Sequence, residues 1–267
     1  MKTMPPRAAG LAVQNYTSPV KVDRFASQDG RSVRSRPLMR KYEIAHLTSP
    51  SSSEIVESTR LAPAVPAFEE AFAALGRGAI LQTKMGPVAV EDLLPGDRIL
   101  TSDNGYQKLL WKGSMTIIPG AQNARPEMGT MTRVTADALG LGRPAPDLVL
   151  GPAARLLHKA NGIRTLTGAD SAFVPVRDFI DQSQIIELTP IAPVHVYQLG
   201  FENHELMKVN GIEVESLHPG PIHSLGLRHD MLALFQAMFP HKDTLGDFGT
   251  MAYPRIRLRD LDLFDVA

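Results

Sequence analysis

The side chains best suited to chemistry in this chain are its histidines, because an imidazole can transfer protons or bind a metal near neutral pH. There are eight of them: His46, His158, His195, His204, His218, His223, His229 and His241. No two stand two or three residues apart, the spacing typical of a compact metal site. His218 and His223 share one loop, and we interpret them as surface residues at a turn. The sequence therefore predicts no metal site and no other cofactor.

The acidic residues form no recognisable catalytic motif either. The sequence has no Gly-x-x-x-x-Gly-Lys loop, no dinucleotide fingerprint and no His-Glu-x-x-His motif. Glu91, Asp92 and Asp97 could act as acids or bases, but their positions around Pro95 and Gly96 are typical of turn and cap acceptors. Cysteine is absent, which excludes disulfides, thiolate-bound metals and a thiol nucleophile.

Charge is unevenly distributed along the chain. Basic and acidic side chains each number 28, and this neutral total argues against a dedicated nucleic-acid binder. Residues 1–60 hold ten basic and five acidic side chains, so this leader carries +5 and the remainder of the chain −5. Its scattered apolar residues and its Ser-rich end at 48–53 predict a disordered segment. We interpret it as a solubilising tail, and binding to an acidic surface or to nucleic acid is the alternative.

Two helices and one edge strand are predicted towards the two ends of the chain. Apolar residues at helical spacing predict a short helix over 67–75, ended by Gly76, and a second over about 226–239, followed by Pro240. Near the end, residues 255–263 alternate strictly between charged and apolar types, which predicts an edge strand with its charges facing outward.

Between these elements the signals are those of β-structure. Three Asn-Gly pairs predict tight hairpins, since a type I′ turn needs positive φ at both of its central residues. The pairs are Asn104-Gly105, Asn161-Gly162 and Asn210-Gly211. In the last hairpin, Ile212 and Val214 are expected to face the core, and Glu213 and Glu215 to face water. The sequence therefore predicts a compact all-β body.

These elements divide the chain into four parts. The parts are a disordered basic leader (1–60), a short helix and linker (61–76), a β domain (77–225) and a C-terminal helical extension with an edge strand (226–267). The sequence has no apolar segment of a secretory signal and no run of about 18 apolar residues, so no membrane span is expected. The cytoplasm is favoured, and secretion through an uncleaved C-terminal signal stays open. The sequence identifies neither a protein partner nor an oligomeric state.

Four blocks of sequence occur in an informative order. They are GAILQT and GPVAVEDLLPGDRILT within 78–101, VTADALG and PDLVLGP within 134–152, FVPVRDFI at 173–180, and HELMKVNGIEVESLHPG at 204–220. In that order they resemble blocks of Hint domains, the Hedgehog/intein self-processing fold, and above all its bacterial subfamily. The resemblance covers about residues 74–240. It implies a horseshoe of short strands and hairpins, in agreement with the predicted all-β body.

The resemblance also implies a reaction. In Hint domains a Cys or Ser attacks the preceding carbonyl, and a histidine handles the proton. The resemblance places that nucleophile at Ala74, and residues 61–82 contain no Cys, Ser or Thr. It places the Ser/Thr and the His of the middle block at Gly151 and Ala154. A chain with these residues lacks the covalent step and the general acid/base of the family.

His204, in the closing block, is the strong polar match that remains, and Gln198 stands where the family often has another histidine. We therefore predict a Hint domain that has lost self-cleavage, is not an enzyme and is retained as an interaction or structural module. One alternative is an active autoproteolytic or splicing-type domain in which Ser216 or Thr83 acts as an unorthodox nucleophile beside His204. The other alternative is a β-scaffold that displays the basic leader to an unknown partner.

Overall fold

The computed structural model describes residues 38–121 and 124–264, with side chains as far as Leu261. The disorder predicted for residues 1–37 therefore lies outside the described residues. Within the described part, no helix is both long enough and apolar enough to cross a membrane.

Short strands make up most of the described chain. They are β1 (Met39–Leu47), β2 (Ile55–Pro63), β3 (Leu75–Gly76), β4 (Ile80–Thr83), β5 (Gly86–Ala89), β6 (Arg98–Thr101), β7 (Gly105–Lys108), β8 (Trp111–Ile117), β9 (Met131–Val134), β10 (Leu148–Leu150), β11 (Arg155–His158), β12 (Ala172–Pro175), β13 (Ile185–Leu188), β14 (Val194–Gly200), β15 (Leu206–Val209) and β16 (Ile212–Glu215). The α-helices are α1 (Pro66–Glu70), α2 (Ile163–Thr167) and α3 (His229–Gln236). Short 3₁₀ helices span Pro126–Gly129, Val176–Phe179, Ile222–Ser224, Leu245–Phe248 and Leu258–Phe264.

The strands form two antiparallel sheets, which confirms the predicted all-β class. The first sheet has the order β13-β9-β10-β3-β14-β8-β1-β2. The second has the order β12-β11-β16-β15-β4-β6-β7, with β5 paired to β4. Strand β3 is only two residues long, yet it bridges β10 and β14, so it places the residues just before it in the middle of the first sheet.

The first hairpin corrects the predicted disorder. Strands β1 and β2 pair along their full length, and β1 also pairs with β8, with Tyr42 opposite Met115. The prediction of a disordered leader is therefore wrong for residues 38–60. Tyr42 and Ile44 alternate with polar residues and are buried, and this period-two pattern was hidden in the sequence by the surrounding charges. The Ser-rich segment at 48–53, predicted as the end of the disordered leader, lies in the turn of this hairpin.

One aromatic core joins the two ends of the described chain. Phe68 and Phe72, from α1 and the turn after it, pack with Phe235 and Trp111 at ring distances of 5.1 and 5.2 Å. Tyr42 of β1 packs on Phe72 at 4.8 Å. Helix α3, which lies within the predicted 226–239, contributes Phe235. The N-terminal hairpin and the C-terminal helix thus depend on the same core.

Two of the predicted terminal elements differ from the structure. Helix α1 ends at Glu70 rather than at residue 75, because the backbone at 73–76 turns to pair with its neighbours in the sheet. The predicted edge strand 255–263 is wrong. Arg255 forms only an isolated bridge to Phe173, and a 3₁₀ helix begins at Leu258.

The Asn-Gly predictions are confirmed at one place, confirmed in part at a second and wrong at the third. β15–β16 is a hairpin with Asn210-Gly211 at its turn, with φ of 47° at Asn210 and 89° at Gly211. β6–β7 is also a hairpin, but its loop is residues 102–104. Of the pair Asn104-Gly105, only Gly105, already opposite Thr101, has positive φ, so the predicted type I′ turn does not form there. Around Asn161-Gly162, β11 and β12 do pair, but α2 lies between them and Gly162 precedes its first residue. Ile163 is fully buried, so a tertiary contact overrides the local turn preference.

Candidate functional site

The peptide that joins Ala73 to Ala74 is held by backbone hydrogen bonds on both sides. Ala153 N–H donates to the Ala73 carbonyl oxygen at 2.9 Å, and Gly151 N–H donates to the Ala74 carbonyl oxygen at 2.7 Å. Ala74 N–H donates to the Tyr197 carbonyl oxygen at 3.1 Å. Both alanines are buried. The structure therefore brings position 74 and the middle block together, as the resemblance implies.

Gly151 allows this close approach. A Cβ atom on Gly151 would lie 2.8 Å from the carbonyl carbon of Ala73, and closer still to its oxygen. The carbonyl carbon and oxygen of Ala73 are backbone atoms, so they cannot move aside as the end of a flexible side chain could. Ala154 is also buried, and its N–H donates to Gly151. The side chains at positions 74, 151 and 154 thus offer two methyl groups and a hydrogen atom, and the polar groups there belong to the backbone.

His204 lies elsewhere in the fold, with both ring nitrogens directed at protein groups. Its Nδ1 accepts a hydrogen bond from Ala252 N–H at 3.1 Å, so the imidazole proton must sit on Nε2. Nε2 lies 3.3 Å from Oε1 of Glu215. The His204 side chain is fully buried. The bond at Nδ1 agrees with the interpretation of a buried histidine that pairs with backbone.

The environment of Glu215, in β16, differs from the prediction. This glutamate was expected to face water, but it is only 3% exposed. Its carboxylate accepts from Arg255 at 2.7 Å and lies 3.3 Å from Arg155. Burial alone would raise the pKa of Glu215, but the two guanidinium groups and His204 outweigh it and lower this pKa to about 2. The C-terminal segment therefore covers Glu215, whereas Glu213 on the same face pairs with Arg143 and stays partly exposed.

His218 holds the same segment from the other side. Its Nδ1 accepts from Gly220 N–H at 2.9 Å, and its Nε2 donates to the Gly249 carbonyl oxygen at 3.2 Å. Burial lowers the pKa of His218 to about 4. Its ring packs on that of His204 at 4.8 Å. His204, Glu215 and His218 together fasten residues 249–255 onto the second sheet.

The hydroxyl groups of the alternative mechanism form other contacts. Ser216 Oγ accepts from Glu205 N–H at 2.8 Å, and Thr83 Oγ1 donates to the Gly86 carbonyl oxygen at 2.7 Å. Neither hydroxyl forms a hydrogen bond with His204. Gln198 is buried, and its Oε1 accepts from Leu199 N–H at 3.0 Å.

The carboxylates of the first block behave largely as turn acceptors. Glu91 accepts from Gly78 N–H at 2.8 Å, and Asp97 accepts from Leu94 N–H at 2.9 Å. Hydrogen bonds to Glu91, from Gly78 N–H and Arg77, outweigh burial and lower its pKa. Among the residues that the structure describes, no cluster of three or more His, Asp or Glu side chains is arranged to hold a metal ion.

A cleft rich in arginine opens beside the Ala73–Ala74 peptide, and sequence reasoning missed it. It has a volume of about 350 Å³ and includes Pro152 and Ala153 of the middle block. Its guanidinium groups belong to Arg125, Arg155, Arg177, Arg255 and Arg257. These residues come from four separate segments of the chain. The one local signal was the alternating sequence from 255 onward, which we had interpreted as an edge strand.

Comparison with known proteins agrees with this arrangement. A family model described as "Hint domain" matches residues 73–221, which is more than half of the chain and begins one residue before Ala74. Among solved structures, the chain is similar to one titled "AceL NrdHF class 3 split intein GSH linked splice inactive variant". The identity is 13%, over 54% of this chain and 98% of that one, with a TM-score of 0.37. No curated protein sequence matches the chain. The match to the family model, over the segment that carries positions 74, 151 and 154, establishes that the chain belongs to the Hint domain family.

Proposed function

We propose that this Hint domain does not cleave its own chain and is retained as a folded module that binds a partner. The observation that carries the proposal is the methyl group of Ala74 at the position where the family has its nucleophile. A methyl group cannot attack a carbonyl, and no side-chain oxygen or nitrogen of positions 151 and 154 can replace the missing group.

The family reaction needs a nucleophile, a group that moves protons and donors that stabilise the oxyanion. Only the third requirement has a counterpart here, because Ala153 N–H already donates to the Ala73 carbonyl oxygen. One backbone donor without a nucleophile forms no covalent intermediate. The geometry therefore supports a domain that keeps the family's fold and has lost the family's reaction.

The position of His204 supports the same conclusion. In an active domain a histidine needs a nitrogen free to exchange protons with the reacting groups. The Nδ1 lone pair of His204 is occupied by Ala252 N–H, and its Nε2 faces the Glu215 carboxylate. We infer that this histidine holds the C-terminal segment in place.

The test is the intact mass of the full chain after expression at neutral pH, with and without hydroxylamine or thiol. The mass must be measured under denaturing conditions, because residues on both sides of position 74 pack in one core and two fragments would stay together. We expect a single full-length species. A pair of fragments cut between residues 70 and 80 would overturn the proposal.

The variant Ala74→Cys is the matched control. It restores the thiol and leaves Gly151 and Ala154 unchanged. We expect it to remain intact as well, because no imidazole is placed to move the proton. If it breaks in hydroxylamine while the natural chain does not, the backbone is still competent and the loss of cleavage rests on position 74 alone, which also supports the proposal.

A further inference from the structure

The arginine cleft is connected to the Ala73–Ala74 peptide through the middle block. One wall is formed by Pro152 and Ala153, and Ala153 is the residue whose N–H holds the Ala73 carbonyl. The C-terminal residues 255–257 form another wall. Five arginines line the cleft, against two carboxylates, those of Glu70 and Asp260. Three further carboxylates, those of Glu69, Glu215 and Asp178, are outside the lining and pair with its arginines.

Four of these arginines have carboxylate partners within the protein. The pairs are Arg125 with Glu69 and Glu70, Arg155 with Glu70 and Glu215, Arg255 with Glu215, and Arg257 with Asp178. Several of the carboxylates are shared or lie behind the lining, so these pairs orient the guanidinium groups without covering them. Arg257 in particular keeps 47% of its side chain exposed.

Arg177 differs from the other four. Its guanidinium donates to the Pro152 carbonyl oxygen, and it makes no salt bridge with any residue in the described ranges. The charges of Glu70, Glu127 and Asp178 act on it, but none of these carboxylates forms a salt bridge with it. Burial lowers the pKa of Arg177. A partly desolvated cation without a counter-ion costs free energy, and an incoming anion would remove that cost.

The rest of the lining is apolar. Met128, Pro152, Ala153, Pro175 and Ile256 lie between the guanidinium groups. A planar guanidinium binds a carboxylate through two parallel hydrogen bonds, and an apolar floor accommodates a neighbouring aliphatic side chain. A volume of about 350 Å³ is at the lower end of the usual range for ligand sites and suits one or two side chains of a peptide.

We propose that this cleft binds an acidic peptide segment of a protein partner, with a carboxylate paired to Arg177. The inference deepens the proposed function, because it names the chemistry of the partner that the module would bind. A second cleft of about 230 Å³ also includes Arg177, but three carboxylates line it, those of Glu127, Asp178 and Glu187, against two arginines. We therefore expect the acidic segment to occupy the first cleft only.

The test uses the full chain and two fluorescent peptides of equal length, hexaglutamate and hexaglutamine, with binding followed by anisotropy at about 0.1 M salt. We expect binding of hexaglutamate only. Arg177→Gln should weaken it by roughly 10- to 100-fold, the loss expected for a hydrogen bond between charged groups. Arg177→Lys, which keeps the charge, should restore part of the affinity. Arg60→Gln, on the exposed β2 and outside the cleft, is the control and should bind as the natural chain does.

A variant with the opposite expected effect keeps the test informative if Arg177→Gln is unstable. Asp260 lines the cleft, and its carboxylate accepts from Arg257 N–H at 2.9 Å. Asp260→Asn preserves that acceptor and removes a negative charge, so it should bind hexaglutamate more tightly, by about twofold or more. Unchanged or weaker binding by this variant would count against the cleft.

Three results would overturn the inference. The first is equal binding of the two peptides. The second is unchanged affinity in Arg177→Gln together with a loss in Arg34→Gln or Arg36→Gln, which would place binding in the basic leader. The third is displacement of hexaglutamate by inorganic phosphate at concentrations below the peptide's own Kd, which would identify a phosphate site. The intact mass of the same samples reports on self-cleavage independently, so failure of the peptide site and failure of the proposed function are distinguishable.

Discussion

At the residue scale, Gly151 limits which side chains the backbone beside Ala74 can accommodate. The resemblance places a Ser or Thr there, but any side chain would collide with the backbone of Ala73. Because the segments at Ala73 and Gly151 approach so closely, position 151 has no room for a side chain with a hydroxyl group. The carbonyl group of Ala73 occupies the space that a side chain at position 151 would need.

This contact predicts a cost for the smallest possible side chain. Gly151→Ala should lower the free energy of unfolding by about 1–3 kcal/mol, as overpacking of a well-filled interior does. Urea unfolding measures the change. Gly129→Ala is the control, since nothing lies within 4 Å of a Cβ atom there, and it should stay within about 0.5 kcal/mol of the natural chain. Equal effects at the two glycines would mean that the backbone at Ala73 yields easily.

At the element scale, a buried ion triad fixes α1. Glu69 is fully buried, and its carboxylate accepts from Arg40 of β1 at 2.5 Å and from Arg125 at 3.2 Å. Helix α1 has only five residues, which is too short to be stable without such contacts. The triad joins this helix to the N-terminal hairpin and to the loop before β9, and it therefore sets the position of the chain as it approaches Ala74.

Removing the central charge should be costly. Glu69→Gln leaves the buried Arg40 without its counter-ion and leaves Arg125 with Glu70 alone, and we expect a loss of about 3–5 kcal/mol in the free energy of unfolding. Glu70→Gln, one residue further along the same helix with a side chain that is 41% exposed, should cost about 1 kcal/mol or less. Chemical denaturation of the two variants decides the matter, and a Glu69→Gln variant as stable as Glu70→Gln would show that the triad contributes little.

The elements also show what the sequence could reveal. The hairpins at Asn104-Gly105 and Asn210-Gly211 were predictable because the signal is local. The pair Asn161-Gly162 failed because Ile163 packs with Leu261, almost a hundred residues away. Glu215 was assigned to water for the same reason, since the side chain that covers it, Arg255, lies forty residues later.

The candidate site was predictable in part. The adjacency of Ala74 and Gly151 followed from the resemblance, and the hydrogen bond between them agrees with it. The arginine cleft was not predictable, because its guanidinium groups converge from distant segments and no spacing connects them. The periodicity of apolar residues and the residue preferences of turns concern residues that are close in the sequence. A cleft is formed by residues that are close in space.

At the scale of the whole molecule, two histidines link stability to pH. Burial lowers the pKa of His218 to about 4 and that of His241 to about 3. In the unfolded chain both have ordinary values near 6.5, so between about pH 6.5 and 4 the unfolded state binds more protons than the folded state. Stability therefore falls as the pH drops through this window. Glu215 adds a further loss between about pH 4.5 and 2, because its pKa is lowered in the folded state.

The variant His241→Phe tests this link. The ring of His241 lies beside Trp111 and Phe248, and within the described part of the chain neither of its nitrogens has a hydrogen-bond partner. Replacing it with phenylalanine removes one titration, so the fall in the urea midpoint from pH 7 to pH 5 should become smaller. His223→Gln, at an exposed position, should keep the slope of the natural chain. An unchanged slope in His241→Phe would assign the acid sensitivity to other groups.

The aromatic core that joins β1, α1 and α3 limits how the gene for this domain can recombine. A self-excising domain can move between genes, since whatever precedes it is released and need not suit it. Here the segment from residue 38 to residue 73 supplies Tyr42, Phe68 and Phe72 to the core of the domain that follows. Recombination at position 74 would separate residues that fold together, so this segment and the domain must evolve as one unit. A fusion made at position 74 would remove the side chains that this core takes from residues 38–73.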